Sequence, residues 1–153
     1  MGDGTVRAMR ESAQALMGQV IGIAGECMLE HKEEVVALVI DQQQEQHEDS
    51  LGNPLRAYST PYRKYKELAG KTGETDFDET GEMHATMNLS VNGDTYSIDS
   101  PATTDQGELK SEWLKAWDND QPIMDLTEEN KKAAWGIIRD DFTERINEVL
   151  VLD

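Results

Sequence analysis

The chain has 153 residues, enough for one domain with its own hydrophobic core. Its 31 acidic and 14 basic residues give a formal net charge of −17, which argues against direct binding to nucleic-acid phosphates. Cys27 is the only cysteine, which excludes an intramolecular disulfide, and no apolar run is long enough to span a bilayer. The first residues also lack the apolar core of a signal peptide, so we expect a soluble protein that is not exported by that route.

The N-terminal region, residues 5–46, is predicted to be helical. Its apolar spacing fails at Glu30 and resumes at Val35, so we expect a kink or a short break near residues 29–33. Before the break, apolar residues recur in steps of three and four, as in coiled-coil heptads. This stripe either packs on the chain's own sheet or faces a neighbouring subunit; it consists of Val6, Met9, Ala13, Leu16, Val20, Ile23 and Cys27.

Residues 50–69 are predicted to form a loop followed by a short helix. Thr60 is expected to cap this helix, with Pro61 at its first position. Three apolar side chains share one face of the helix: Tyr62, Tyr65 and Leu68.

An antiparallel β-hairpin is predicted over residues 82–100. From Met83 to Val91, apolar and polar residues alternate strictly, which is the period of a half-buried strand. Asn92-Gly93 fits a two-residue hairpin turn of type I′. The register that follows places the apolar side chains on one face. It pairs Leu89 with Tyr96 and Met87 with Ile98.

Two C-terminal helices are predicted within residues 108–150, the first over 108–117 and the second after a cap at Thr127. We expect the second helix to cover the apolar face of the hairpin, because a two-stranded hairpin is not stable alone. Its apolar stripe is Trp135, Ile138, Phe142, Ile146 and Val149. The predicted class is therefore α+β: one domain over residues 1–153, with a long N-terminal helix, a central hairpin and C-terminal helices packed on it.

Candidate metal sites are weak. The calcium-loop pattern is met in part at Asp76, Asp78, Thr80 and Gly81, but Met87 stands where the loop needs a bidentate glutamate. The sequence therefore favours a loop that enters a strand, and no metal or cofactor is expected. The histidines form no metal-binding pair on one helix, and His84 is expected on the polar face of the first strand. They are His31, His47 and His84.

No residue is assigned a catalytic role. The sequence contains no nucleophile motif and no phosphate-binding glycine loop, and no spacing singles out a pair of carboxylates. Tyrosines can stack on bases, but packing in the core or at an interface is the favoured interpretation here. The tyrosines concerned are Tyr58, Tyr62 and Tyr65.

Two short segments carry a resemblance. The first is Gly52-Asn53-Pro54-Leu55, followed by Tyr58-Ser59, Tyr62 and Lys66; the second is Thr80-Gly81-Glu82-Met83, followed by the hairpin. Together they resemble small virion morphogenesis proteins of tailed bacteriophages, the tail-completion, tail-terminator and neck proteins. In that group a long N-terminal helix precedes a polar loop, and a Thr-Gly step opens a β-sheet. The sequence departs from this pattern after Ser100, where two helices follow.

The resemblance implies a non-enzymatic structural protein of the phage neck or tail. Such a protein would form a homo-oligomeric ring, contact other neck, tail or portal proteins, and reside in the virion after assembly in the host cytoplasm. The candidate interfaces are the stripe Val6–Cys27 and the loop Gly70–Glu79. The residues also leave open a small acidic inhibitor or DNA mimic, which would space carboxylates like phosphates, and an enzyme that uses unrecognised carboxylates.

Overall fold

The computed structural model describes residues 2–151 and confirms the predicted α+β class. The helices and strands of this range are α1 Gly2–Glu30, α2 Lys32–Gln44, α3 Thr60–Leu68, α4 Glu82–Ala85, β1 Asn88–Asn92, β2 Thr95–Asp99, α5 Lys110–Trp117 and α6 Glu128–Val151.

The predicted break in the N-terminal helical region is confirmed. α1 ends at Glu30 and α2 begins at Lys32, with His31 between them. Glu33 and Glu34 lie in the first turn of α2, where negative charge is favourable. After this turn α2 enters the core, whereas the N-terminal part of α1 lies outside it.

The β-hairpin is confirmed, but its register differs from the predicted one. Leu89 lies opposite Ile98 and Val91 lies opposite Tyr96, so both predicted pairs, Leu89 with Tyr96 and Met87 with Ile98, are wrong. The observed and the predicted registers differ by two residues. Because side chains alternate between the two faces of a strand with a period of two, such a shift leaves each side chain on the same face. The apolar side chains of both strands therefore still share one face, as predicted.

The register differs because the turn lies one residue later than predicted. Asn92 pairs with Thr95, which leaves Gly93 and Asp94 as the two central residues. The Thr95 hydroxyl donates to the Asn92 carbonyl at 2.8 Å and closes the turn. Of these two central residues, only Gly93 has a positive φ, of 62°. This fits a type II′ turn and not the expected type I′ turn.

The predicted strand start over residues 82–87 is wrong, because Glu82–Ala85 form the single-turn helix α4. Gly81 precedes it with a φ of 77°, a left-handed conformation that interrupts an extended chain. As a consequence His84 does not lie on the polar face of a strand but is buried. The Thr-Gly step of the resemblance therefore opens a helical turn before the sheet begins.

Two clusters of buried apolar side chains form the core. Gln43 of α2, which carries part of the first cluster, donates to the carbonyl of Ile123 in the second cluster at 2.6 Å. The first core lies between α2, the hairpin and the start of α6: Val35, Val36, Val39, Met87, Leu89, Ile98, Leu126 and Ala134. The second core lies under α4 and α5: Leu55, Phe77, Met83, Ala102 and Ile123.

The cap of α6 is confirmed, since the Thr127 hydroxyl accepts from the Asn130 amide at 3.2 Å. α6 reaches the core of the sheet through Ala134. The expectation that its whole stripe covers the hairpin is wrong: α6 lies mainly along α1 and α2, and Trp135 is 46% exposed. The Arg145 guanidinium holds α6 to α1, because it pairs with two glutamates of α1, Glu26 and Glu30.

Helix α3 differs from expectation at its cap and on its buried face. Ser59, and not Thr60, is the N-cap residue. Tyr65 and Leu68 are 61% and 90% exposed, while Lys66 is buried. A lysine is rarely buried unless it has a partner, and the partner of Lys66 is Asp76.

Candidate functional site

The N-terminal part of α1 projects away from both cores. Every side chain from residue 4 to residue 19 is exposed, over a length of about 24 Å at the usual helical rise. We call this stretch the exposed segment. It carries the first half of the predicted stripe, including Val6, Met9 and Leu16, whereas Val20 and Ile23 are half-buried. The stripe is therefore partly used inside this chain and partly uncovered.

The exposed segment also differs from the rest of the chain in charge. Residues 12–25 contain no charged side chain, and residues 4–11 contain Arg7, Arg10 and Glu11, one more positive than negative charge. The whole chain, in contrast, carries a net charge of −17. The region around the stripe is thus a part of this acidic molecule that another copy can approach without strong charge repulsion.

The glycines of α1 differ in what surrounds them. An added Cβ at Gly25 would lie 3.0 Å from Val91 Cγ1, so the hairpin packs tightly there. Gly18 and Gly22, one turn apart, face open space. Another helix can approach the backbone closely at these two positions.

A second exposed feature is a groove of about 670 Å³ between α3, α4 and α5, which we call the aromatic groove. A volume of this size is typical of binding sites for small ligands and peptide side chains. Its apolar lining includes Tyr58, Tyr62, Phe77, Trp113, Leu114 and Trp117. Tyr58 packs edge-on against Tyr62 at 4.8 Å between ring centroids, and Phe77 packs edge-on against Trp117 at 6.5 Å.

A buried ion pair lies behind Tyr58, which lines the aromatic groove. Lys66 Nζ donates to Asp76 Oδ1, and both residues are buried. The same carboxylate oxygen accepts from the Tyr58 hydroxyl at 3.3 Å and from the Asp78 amide at 3.0 Å. The Tyr58 hydroxyl in turn accepts from the Phe77 amide at 3.1 Å. Two rings of the groove are therefore held in place by one network.

The two aspartates of the partial calcium-loop pattern both lie next to lysines. Asp76 is engaged by Lys66, and Asp78 lies 3.7 Å from the Lys71 ammonium. Within residues 2–151, no group of three or more histidine, cysteine, aspartate and glutamate side chains is placed to hold a metal ion.

Part of the loop Gly70–Glu79, a predicted interface element, is tied to the fold of the single chain. Thr75, Asp76 and Phe77 are buried, and the His47 ring donates from Nδ1 to the Thr75 carbonyl at 2.9 Å. Both candidate interfaces thus keep exposed residues, the loop at half of its positions and the stripe of α1 over its N-terminal part.

The charged residues that line the aromatic groove are mostly acidic. Burial, followed by the charges of Glu79 and Asp76, raises the pKa of Tyr62. The rim carries Glu79, Glu82 and Asp105 against a single cation, Lys110, which pairs with Glu82 at 2.8 Å.

Two of the three histidines, His84 and His31, have different environments. Gln44 donates to His84 Nδ1 and His84 Nε2 donates to Gln43, both at 2.9 Å, and burial lowers the pKa of His84. A hydrogen bond to Glu34 raises the pKa of His31, and the charge of Asp141 adds to this.

We predict that the two histidines titrate on opposite sides of the usual value of about 6.5, His31 above it and His84 below it. His84 then contributes stability that is lost as the pH falls through about 6.5, because the unfolded chain binds the proton first. His31 contributes stability that is present below about pH 6.5 and is lost as the pH rises through its folded pKa. An NMR titration of the ring protons checks the order directly; His84 titrating above His31 would contradict the assignment.

None of the helices within residues 2–151 is both long and apolar enough to cross a membrane.

Searches against protein-family profiles, curated proteins and solved structures each returned no match to this chain. The resemblance to phage morphogenesis proteins accordingly depends on the motifs of residues 52–100 alone.

Proposed function

We propose that this chain is a non-enzymatic structural subunit that assembles with copies of itself through the stripe of α1. The observation that carries the proposal is the exposed segment itself: an uncovered helix with apolar residues at heptad spacing. Val6, Met9 and Leu16 are 59%, 66% and 43% exposed. Isolated helices of this length are marginal in water, so a second helix packed on the stripe would stabilise the segment.

A second copy fits the stripe better than an unrelated acidic surface does. The heptad spacing is that of helices that pair with one another. The segment lacks the negative charge that prevails in the whole chain, so two copies meet here without strong charge repulsion. Gly18 and Gly22 leave room for close approach of the partner helix.

The setting that we propose for this assembly is the neck or tail of a tailed bacteriophage. Support comes from the resemblance of residues 52–100, together with the long N-terminal helix and the small sheet. Helix pairing alone closes a dimer, so a ring also requires a second contact between copies. Negative-stain microscopy checks this part: closed rings support the phage setting, while particles of two copies contradict a ring and leave helix pairing intact.

We expect the protein to sediment as a species larger than a monomer and Leu16→Glu to shift it towards the monomer. A charge placed in the stripe is buried without a partner if two helices pack there. The matched control is Leu68→Glu on α3, which introduces the same charge at a side chain that is 90% exposed. Equal sedimentation of the unaltered chain and the Leu16→Glu variant would contradict the proposed interface.

A DNA mimic is a second candidate, favoured by one observation on α6. Asp140, Glu144 and Glu148 are exposed and spaced by four residues, about 6 Å apart along the axis. Arg139 lies beside this row and reduces its charge. Competition with DNA for a basic DNA-binding protein tests this candidate; no displacement of DNA at any protein concentration would contradict it.

A further inference from the structure

We propose that the aromatic groove binds an arginine-bearing segment of a partner protein. The groove lies among α3, α4 and α5, away from the exposed segment of α1, so this proposal does not depend on self-assembly. Its occupant is inferred from the lining and from the charge at the rim.

The lining is built for a flat cation. Trp113 is 50% exposed, and its ring lies in the groove wall with the rings of Tyr62 and Trp117. Aromatic faces attract guanidinium groups through the ring quadrupole, most strongly on tryptophan. The chain already uses this contact once, since the Arg56 guanidinium carbon lies 5.3 Å from the centroid of Trp117. Arg56 is not part of the groove lining, so it leaves the groove free for a second arginine.

The rim favours the same ligand. Glu82 is neutralised by Lys110, but within the described part of the chain Glu79 and Asp105 form no ion pair. Both carboxylates are exposed at the groove. A guanidinium seated over the rings can therefore pair with either carboxylate, whereas an anionic ligand would be repelled.

The segment should also carry an apolar residue next to the arginine. Met83 and Leu114 supply an aliphatic part of the lining, and burial of apolar surface contributes affinity that exposed charges alone do not. Arginine, and not lysine, is preferred because its planar group both stacks on rings and binds carboxylates in pairs of hydrogen bonds.

The test uses the blocked peptide acetyl-Gly-Leu-Arg-Leu-Gly-amide and its analogue with citrulline in place of arginine. Citrulline keeps the shape of the side chain and removes its charge. NMR signals of the indole N–H groups report binding, because Trp113 and Trp117 line the groove while Trp135, 46% exposed on α6, is an internal control. The Leu16→Glu variant is used alongside the unaltered chain, so the state of assembly does not affect the result.

We expect the arginine peptide to shift the Trp113 and Trp117 signals saturably, to leave Trp135 unchanged, and to bind more tightly than the citrulline peptide. Glu79→Gln and Trp113→Ala should each weaken binding by about two- to fivefold. Glu148→Gln, on the far helix α6, should not alter binding. Equal binding of both peptides, equal shifts at Trp135, or no shift at Trp113 would overturn the proposal.

Discussion

Replacing Lys66 by methionine is expected to lower the free energy of unfolding by about 3–5 kcal/mol, the usual cost of removing one partner of a buried ion pair. Methionine fills much of the same volume but leaves the buried Asp76 carboxylate without its cation. Because Asp76 also accepts hydrogen bonds from the Tyr58 hydroxyl and the Asp78 amide, the Tyr58 wall of the aromatic groove should loosen as well. Urea unfolding at matched protein concentration measures the loss.

Two further variants separate the ion pair from a general effect of losing a lysine. Lys64→Met removes an exposed charge from the same helix and should change stability by less than about 0.5 kcal/mol. Adding Asp76→Asn to Lys66→Met removes the orphaned charge and should recover part of the loss. A cost below about 1 kcal/mol for Lys66→Met would show that the pair is not a main support of the fold.

Replacing Leu89 by alanine is expected to cost about 2–5 kcal/mol, because this side chain is 2% exposed at the centre of the first core. Phe142→Ala should cost less, since Phe142 is only half-buried on the helix α6. Both comparisons are made at one protein concentration, because assembly would add to apparent stability. A larger cost for Phe142→Ala than for Leu89→Ala would contradict the placement of the core.

Leu16→Ala is the control for Leu89→Ala and Phe142→Ala, because it truncates an exposed side chain instead of a buried one. Leu16 is 43% exposed, and alanine is the best helix former, so the stability of the monomer should be nearly unchanged. Any loss of assembly in this variant then reflects the surface of α1 and not a damaged fold.

The sequence predicts those features that depend on neighbours along the chain. The break near His31 follows from the interrupted apolar spacing. The cap at Thr127 also follows, because its hydroxyl accepts from the amide of Asn130, only three residues further along the chain. The shared face of the hairpin also follows, because a period of two survives a shift of two residues. The precise turn does not, since both Asn92-Gly93 and Gly93-Asp94 satisfy hairpin chemistry.

Features that depend on distant residues could not be predicted. Gln42 and Gln43 lie in a polar run that only suggests the end of a helix, yet both are fully buried. Their amides find partners about 80 residues away, at Ile123 and Asp125. Lys66 is similar: in the sequence it is one of several basic residues near the tyrosines, and only the fold brings Asp76 to it.

The aromatic groove is also built from residues that are distant along the chain, so the sequence does not predict it. Its rings come from α3, from the loop before α4 and from α5, and no local spacing links them. The cluster of tyrosines in and before α3 was the one available signal, and the favoured interpretation was packing. Tyr58 and Tyr62 do pack, but at the wall of an open groove, while Tyr65 is exposed.

Disulfide cross-linking at Leu16 tests most directly whether copies of this chain meet through α1. In Leu16→Cys the new thiol is exposed, while the natural Cys27 is buried and does not compete. Under mild oxidation we expect a covalent dimer to form rapidly at Leu16→Cys and slowly at Leu68→Cys, whose position on α3 is more exposed. Position 16 meets position 16 of a second copy when the two stripes pair in parallel, so equal rates at the two positions, or no dimer at Leu16→Cys, would contradict parallel assembly through α1.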